Sequence, residues 1–260
     1  MTESDGALKV ALTTDIGEGF GRWQITDDAA LLDVVSSANI ACGFHGGDPD
    51  IMRRTCEQAA RNGVGVGAQV SYRDLAGFGR RYIAVPGETL TNDLLYQIGA
   101  LDAFARAAGT RVSFVRAHGA LYNVAATDEE HAEAIVEATR LWNPELPVLA
   151  QVGTATWKHA EQAGIRVIAE GFVDRAYTSD GLLLSRAEPG ALLRDADEAA
   201  ARAVRMVTEH ELTAVDGETV SVTAHALLVH SDTPDSLTIA TRAREALLAA
   251  GIQIVPVSEL

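Results

Sequence analysis

The sequence predicts an α/β fold, a closed (β/α) barrel of about eight parallel strands with helices outside it. Two observations favour this fold. Short apolar runs typical of buried strands alternate with longer helical patterns along the 260 residues, which favours a parallel sheet. About eight such units, with polar side chains where the runs end, indicate a closed barrel. One domain is expected to span residues 1–260, and an open doubly wound sheet is the alternative.

The second predicted strand, Ile40–Phe44, organises the rest of the chain because His45, two glycines and a helix start follow it. Asp48 is a good N-cap, since its carboxylate can accept from free amides of the first helical turn. Pro49 suits a first helical position, which needs no amide hydrogen. We expect the glycine pair to leave room for a ligand. The other strands are predicted at Leu8–Thr13, Val64–Val70, Val112–Arg116, Val148–Val152, Arg166–Ala169, Ala226–Val229 and Ile252–Val257.

Capping residues and apolar stripes predict helices between these strands. Thr26 is expected to cap the first helix, which would run to about Ser37, and Asn62-Gly63 is expected to end the second. The segment Glu211–Thr223 departs from this pattern and is predicted as a hairpin that turns at Asp216-Gly217. The remaining helices are expected at Asp50–Arg61, Glu88–Ala108, Asp128–Leu141, 154–163, Pro189–Thr208 and Pro234–Gly251.

The composition is that of an ordinary globular protein, with 47% hydrophobic and 22% charged residues. A formal net charge of −15 argues against nucleic acid or an anionic membrane as a partner. No apolar run approaches the roughly 18 residues of a membrane span, and Met1–Leu8 lacks the apolar core of a signal peptide. Cys42 and Cys56 are expected to be small buried residues in a reducing compartment. We therefore expect a cytoplasmic protein.

Polar side chains collect where the predicted strands end, and in a parallel barrel these ends share one mouth. Three of the seven histidines stand there, whereas His131, His159, His210 and His225 are expected to be structural or solvated. Such a set can hold a divalent metal with an open position for water, or it can transfer protons at an amide without a metal. The candidates at strand ends are Asp15, His45, Gln69, His118, Glu170, Asp174, Arg175, His230 and Asp232, and Arg80 lies in a glycine-rich loop that could clamp a carboxylate.

Seven segments have long and distinctive sequence motifs: 15–21 (DIGEGFG), 38–49 (ANIACGFHGGDP), 77–81 (GFGRR), 96–101 (YQIGAL), 118–123 (HGALYN), 170–175 (EGFVDR) and 230–234 (HSDTP). In this order they resemble the LamB/YcsF family, the A subunit of bacterial 5-oxoprolinase, over essentially the whole chain. The resemblance implies an irregular (β/α) barrel of seven or eight parallel strands, related to those of glycoside hydrolases and deacetylases. It also implies ATP-dependent opening of 5-oxo-L-proline to L-glutamate. Partner subunits B and C would handle activation with ATP, which fits the lack of a phosphate-loop motif in this sequence.

Under this resemblance four residues form the catalytic set, with proton transfer assigned to Asp15 or Glu170 and to His118. Arg80 and Arg175 are candidates for the substrate carboxylate. The catalytic set is Asp15, His45, His118 and Glu170, and the substrate-binding set is Arg80, Asp174, Arg175, Gln69, His230 and Asp232.

The sequence departs from the family pattern around the predicted mouth. Gln69 stands where the family has histidine, Arg116-Ala117 replace Lys-Pro before His118, Ser231 replaces glycine, and Leu12-Thr13-Thr14 precede the first aspartate. Glutamine is a poorer metal ligand than imidazole and cannot carry a proton, so these changes suggest a diverged paralogue. Two alternatives stay open. One is a metal-dependent deacetylase-like hydrolase with Asp15 and His45 as ligands, and the other is a non-catalytic binding or assembly subunit.

Overall fold

The computed structural model describes residues 7–186 and 188–260, and its centre is a closed ring of seven parallel strands. The ring closes where Thr14 of the first strand pairs with Val229 of the last, which confirms the barrel over the open sheet. The ring contains β1 (Lys9–Ile16), β2 (Ser37–Ala41), β3 (Gly65–Val70), β4 (Val112–Ala117), β5 (Val148–Ala150), β6 (Val167–Phe172) and, after the outlying β7 (Glu211–Thr213) and β8 (Thr219–Ser221), β9 (Ala226–Val229).

The predicted eighth strand is present but short, and it lies outside the ring. β10 (Gln253–Ile254) pairs with Lys9 and Val10 at the start of β1, before the segment of β1 that pairs with β9. The predicted hairpin is also confirmed, because β7 and β8 pair antiparallel with the Asp216-Gly217 turn between them.

Eight helices surround the ring in the described residues. The second begins and ends as predicted: the Asp48 carboxylate accepts from the Ile51 amide, Pro49 is its first residue, and Gly63 follows its last turn. The helices are α1 (Asp28–Leu32), α2 (Pro49–Asn62), α3 (Gly87–Ala107), α4 (Gly119–Val124), α5 (Glu129–Trp142), α6 (Ala155–Gln162), α7 (Ala196–Thr208) and α8 (Ser236–Ala249).

Several predicted boundaries are wrong. β2 runs from Ser37 to Ala41 rather than from Ile40 to Phe44, and it ends early because the chain turns where the Gly43 amide donates to the Gly46 carbonyl. α1 has only five residues and is capped by Asp27, whereas the Thr26 hydroxyl donates to Asp28. α7 begins at Ala196 rather than Pro189, since the preceding chain forms a bridge between Arg175 and Leu192.

Strand alternation divides the inside of the barrel into an apolar floor and a polar mouth. Ala11, Phe114 and Ile168 pack together near the amino ends of their strands. Side chains two or four residues further along lie on the same strand faces, toward the carboxyl ends. Residue 67 has to be glycine, because a Cβ there would lie 2.1 Å from the Phe114 ring. The polar side chains of the mouth therefore rest on a packed floor.

Two expectations concern the chain as a whole. Among the helices of the described residues, none combines the length and the apolar character needed to cross a bilayer. The prediction that Met1–Leu8 contains no signal peptide falls mostly on residues 1–6, which lie outside the described residues. The extent of one domain over residues 1–260 stays a prediction.

Candidate functional site

The carboxyl ends of the ring strands bring the four predicted catalytic residues into one buried region. Asp15 and Glu170 are the inward side chains near the ends of β1 and β6. His45 lies in the turn after β2, and His118 directly follows β4. All four are at most 3% exposed, so the region is closed to bulk water. Predicted residues from four different strands thus share one mouth.

A buried arginine joins the two predicted catalytic carboxylates. The Arg116 Nε donates to Glu170 Oε1 at 2.9 Å, and its Nη1 donates to Asp15 Oδ1 at 3.1 Å. Asn39 Nδ2 is a second donor to Asp15, at 2.9 Å. Burial alone would lower the pKa of Arg116, but the negative charges of the two carboxylates outweigh this effect and raise that pKa. We call Asp15, Arg116 and Glu170 the Arg116 array.

The Arg116 array leaves polar atoms that no neighbour satisfies. Four buried atoms lack a hydrogen bond of good geometry within residues 7–186 and 188–260: Asn39 Oδ1, His45 Nδ1, Tyr122 Oη and Glu170 Oε2. Burial raises the pKa of Glu170, with Arg116 opposing that effect. Buried polar atoms are normally paired with protein, ligand or water. The region therefore suits a small polar molecule that offers N–H or O–H groups.

A second group forms around the amide of Gln69. Gln69 Oε1 lies 3.1 Å from His45 Nε2, and Gln69 Nε2 lies 3.0 Å from both Glu18 Oε1 and His118 Nδ1. The two imidazole rings stack with centroids 4.1 Å apart. Ser231 Oγ donates to the other oxygen of Glu18 at 3.3 Å. We call Gln69, Glu18, His45 and His118 the Gln69 cluster.

Burial changes the proton affinities of the Gln69 cluster. It raises the pKa of Glu18 to about 8, and the negative charges of Asp15 and Asp232 act in the same direction. Burial lowers the pKa of His45 to about 4. The pKa of His118 falls well below its ordinary value for the same reason, with the nearby His45 adding to the effect. Near neutral pH the cluster therefore holds neutral imidazoles and a carboxyl group that retains a proton.

The spacing of the Gln69 cluster is compatible with a divalent metal. Glu18, His45 and His118 each offer one ligand atom, and these atoms lie within 4.8 Å of one another. This set differs from the predicted pair of Asp15 and His45, because Asp15 is bound to Arg116 and Asn39. However, each of the three ligands also contacts the amide of Gln69, so a cation would have to displace that amide.

The loop after β3 lies directly over the two stacked histidines. His118 Nε2 is 3.0 Å from the Phe78 carbonyl oxygen, and the Phe78 ring packs edge-on against the His118 ring. Gly79 has φ +65°, and a Cβ there would lie 2.6 Å from Ser71 Oγ and 2.8 Å from His45 Cβ. The loop can approach this closely only because residue 79 is glycine.

The glycines after His45 serve a different purpose from the one predicted. A Cβ on Gly46 would lie 2.8 Å from the Glu18 carbonyl oxygen, and one on Gly47 would lie 2.9 Å from the Gly17 carbonyl oxygen. The space that we expected to hold a ligand is therefore filled by the backbone after β1. This contact brings Glu18 to the cluster.

Asp174 and His230 form a smaller pair beside the main site. Asp174 Oδ1 lies 2.9 Å from His230 Nδ1, and its other oxygen accepts from Thr233 Oγ1 at 2.5 Å. Burial would raise the pKa of Asp174, but His230 and these hydrogen bonds lower it. Asp174 therefore orients His230 and anchors the segment that follows β9.

The three arginines near the mouth have different partners. Arg175 donates to the carbonyl oxygens of Leu184 at 2.5 Å and Ala191 at 3.3 Å, so its guanidinium is used within the protein. Asp232 accepts from Arg80 at 2.5 Å and from Arg186 at 3.2 Å. One carboxylate thus links loops that follow β3, β6 and β9, and Arg80 remains partly exposed.

Sequence reasoning missed Glu18, Asn39 and Tyr122 as site residues and treated Arg116 only as a departure from a pattern. The available signals were weak. Glu18 lies three residues beyond Asp15 in the same glycine-rich turn, and Asn39 lies in a strand whose predicted start was three residues too late. Tyr122 is in α4, a helix that was not predicted.

A large open groove lies elsewhere, outside the barrel. It has a volume of about 1050 Å³, lies beside α1 and α2, and is lined by Trp23, Arg54 and Arg61 among others. None of the residues of the Arg116 array or the Gln69 cluster lines it. The concentration of buried charge and unpartnered polar atoms favours the mouth as the functional site.

The chain is similar to a set of proteins that share one name. The profile of the LamB/YcsF family matches residues 10–260. The 5-oxoprolinase A subunit of Nocardia farcinica is 54% identical over 247 residues, which cover 95% of this chain and 98% of that one. The protein of the same name from Streptomyces coelicolor is 52% identical over 245 residues, with coverages of 94% and 98%.

A solved structure supports the same relationship. The crystal structure of a lactam utilization protein from Thermus thermophilus superimposes with a TM-score of 0.91 at 43% sequence identity. The match covers 95% of this chain and 99% of that one. The similarity therefore extends over the whole ring and its helices.

Proposed function

The chain belongs to the LamB/YcsF family, and we propose that it is the A subunit of an ATP-dependent 5-oxoprolinase, which hydrolyses 5-oxo-L-proline to L-glutamate. The relatives named as A subunits of 5-oxoprolinase match it over nearly their full length. The observation that carries the proposal for the site is the Arg116 array, with unpartnered Glu170 Oε2 and Asn39 Oδ1 beside it. Unpartnered acceptors suit the N–H of a lactam.

The reaction adds water to the lactam carbonyl carbon, breaks the C–N bond and gives the leaving nitrogen a proton. Glu170 suits the proton-transfer role better than Asp15 does, since burial raises its pKa and only one of its oxygens is bound to Arg116. Asp15 holds Arg116 through both oxygens and so fixes the charge at the centre of the mouth. His118, neutral and beside Glu18, is the second candidate for proton transfer.

The substrate carboxylate is assigned to Arg80. Its side chain is 38% exposed at the mouth, and its guanidinium shares Asp232 with Arg186, so two cations there face one carboxylate. Arg175 is a weaker candidate because its guanidinium already donates to backbone carbonyls. Gln69, His230 and Asp174 would act indirectly, by positioning the side chains that they contact.

We assign activation with ATP to partner B and C subunits, because the name of the relatives denotes one subunit of several. The sequence has no phosphate-loop motif. We also propose a cytoplasmic location, which would provide ATP and keep Cys42 and Cys56 as the free thiols found in the structure.

The test is reconstitution of the chain with candidate B and C subunits, 5-oxo-L-proline and ATP, with glutamate as the measured product. We expect glutamate from the wild type and none from Glu170→Gln, a change that keeps the shape of the side chain. Glu129→Gln, at an exposed partner of His159, is the matched control and should retain activity. Undiminished glutamate from an Asp15→Ala, His45→Ala double variant would contradict the site assignment. A folded wild type without turnover under these conditions would favour the non-catalytic alternative.

A further inference from the structure

The Gln69 cluster contains one amide that contacts all three groups able to bind a cation. Gln69 Oε1 lies at hydrogen-bond distance from His45 Nε2, and Gln69 Nε2 lies at hydrogen-bond distance from both Glu18 Oε1 and His118 Nδ1. Glu18 Oε1 and His118 Nδ1 are themselves only 3.4 Å apart. The amide therefore fills the space that the three ligand atoms surround.

The Phe78 carbonyl fixes the proton positions throughout the cluster. A carbonyl oxygen can only accept, so His118 Nε2, which faces it at 3.0 Å, carries the ring proton. In neutral His118 the Nδ1 is then an acceptor, and it requires the NH₂ side of the Gln69 amide. The amide oxygen consequently faces His45 Nε2, which must donate. His45 Nδ1 is left as a buried acceptor without a partner in the described residues.

Gln69 has little freedom to leave this position. It is the fifth residue of β3, where its backbone pairs with Ala41 of β2 and Arg116 of β4. Its side chain is fully buried, and the loop containing Phe78 and Gly79 packs over the histidines that it contacts. A cation could enter only by breaking three hydrogen bonds at once.

From this geometry we propose that Gln69 is a positioning residue that takes the place of a divalent cation, holding His45 and His118 as Nε2–H tautomers in a metal-free cluster. His118 Nδ1 then accepts from the Gln69 amide, which also donates to Glu18 Oε1. This exclusion of metal does not depend on the proposed activity.

Two Gln69 substitutions test the exclusion by titration with Co²⁺, whose visible absorption reports coordination by nitrogen ligands. Gln69→Ala leaves two imidazoles and one carboxylate around an open space, a set typical of metal sites, and Gln69→His adds a third imidazole. We expect visible absorption from both variants and none from the wild type at equal concentrations of protein and Co²⁺. Gln97→Ala is the matched control, because this buried amide binds the backbone of Ser71 outside the cluster. It should behave like the wild type.

Nitrogen-15 NMR of the histidine rings supplies a readout that a merely structural role would not change. We expect the wild type to show Nε2–H tautomers for His45 and His118, and Gln69→Ala to lose this fixed pattern. The proposal is overturned if the wild type binds one equivalent of Co²⁺, or if its His118 carries the proton on Nδ1. Both wild-type measurements stand even where a variant fails to fold. Neither requires turnover, so failure of the proposed activity would leave them intact.

Discussion

Arg116 lies 3.1 Å from Asp15 through Nη1 and Oδ1, and neither side chain is more than 4% exposed. The same guanidinium binds Glu170, so one cation balances two acids inside the barrel. Removing one partner from a buried ion pair leaves an uncompensated charge, which costs far more than breaking a pair at the surface. The array is therefore a structural centre of the mouth as well as part of the proposed active site.

We predict that Arg116→Met lowers the free energy of unfolding by about 3–5 kcal/mol, because Asp15 and Glu170 would lose their shared cation. Urea unfolding followed by circular dichroism measures the change. Arg53→Met is the control, since its ion pair with Glu57 is exposed and should contribute about 0–1 kcal/mol. Equal losses in the two variants would contradict this account of the array.

The raised pKa of Glu18 predicts a pH dependence of stability. Between its ordinary value of 4.5 and about 8, the folded protein retains a proton that the unfolded chain releases. The wild type should therefore lose stability relative to Glu18→Gln as pH rises, by about 1.4 kcal/mol per pH unit within that window. Above pH 8 the difference should be constant. Unfolding free energies measured from pH 5 to 9 give the slope, and a flat difference would show that Glu18 titrates normally.

Gly79→Ala should destabilise the protein more than Gly109→Ala. Both glycines have positive φ, which costs an alanine about 1–2 kcal/mol. Only at Gly79 would the new methyl meet Ser71 and His45, and such overpacking adds about 1–3 kcal/mol. A Cβ on Gly109 has no atom within 4 Å. Thermal unfolding of the two variants separates the steric effect of the contact from the backbone effect. Equal losses of stability would mean that the loop shifts easily to accommodate the methyl group.

Asp232→Asn should loosen the loops over the mouth. The carboxylate accepts from Arg80 and Arg186, and a neutral amide would leave these two cations facing each other. We expect faster amide hydrogen exchange at residues 77–81 and 183–186, measured by mass spectrometry. Asp197→Asn, which affects an exposed pair with Arg242 between α7 and α8, should leave those segments unchanged. Unaltered exchange in Asp232→Asn would show that other contacts hold the loops.

The sequence predicted the barrel because its apolar residues recur with the period of a strand or of a helix in alternating segments. It predicted that Asp15, His45, His118 and Glu170 lie near one another because the carboxyl ends of parallel strands lie on one side of a barrel. It could not show which of these side chains meet. The link from Asp15 to Arg116 spans 101 residues and depends on distances across the ring. Glu18 reaches the cluster only because Gly46 admits its backbone, a contact without a local signal.

The closing pair of the barrel also has a consequence for biosynthesis. Thr14 and its partner Val229 are 215 residues apart in the sequence, so Thr14 leaves the ribosome long before Val229. One flank of the first strand must therefore stay unpaired until the segment that contains Val229 has been translated. Exposed flanks of this kind recruit other strands, so nascent chains stalled before residue 226 should depend on chaperones to stay unaggregated.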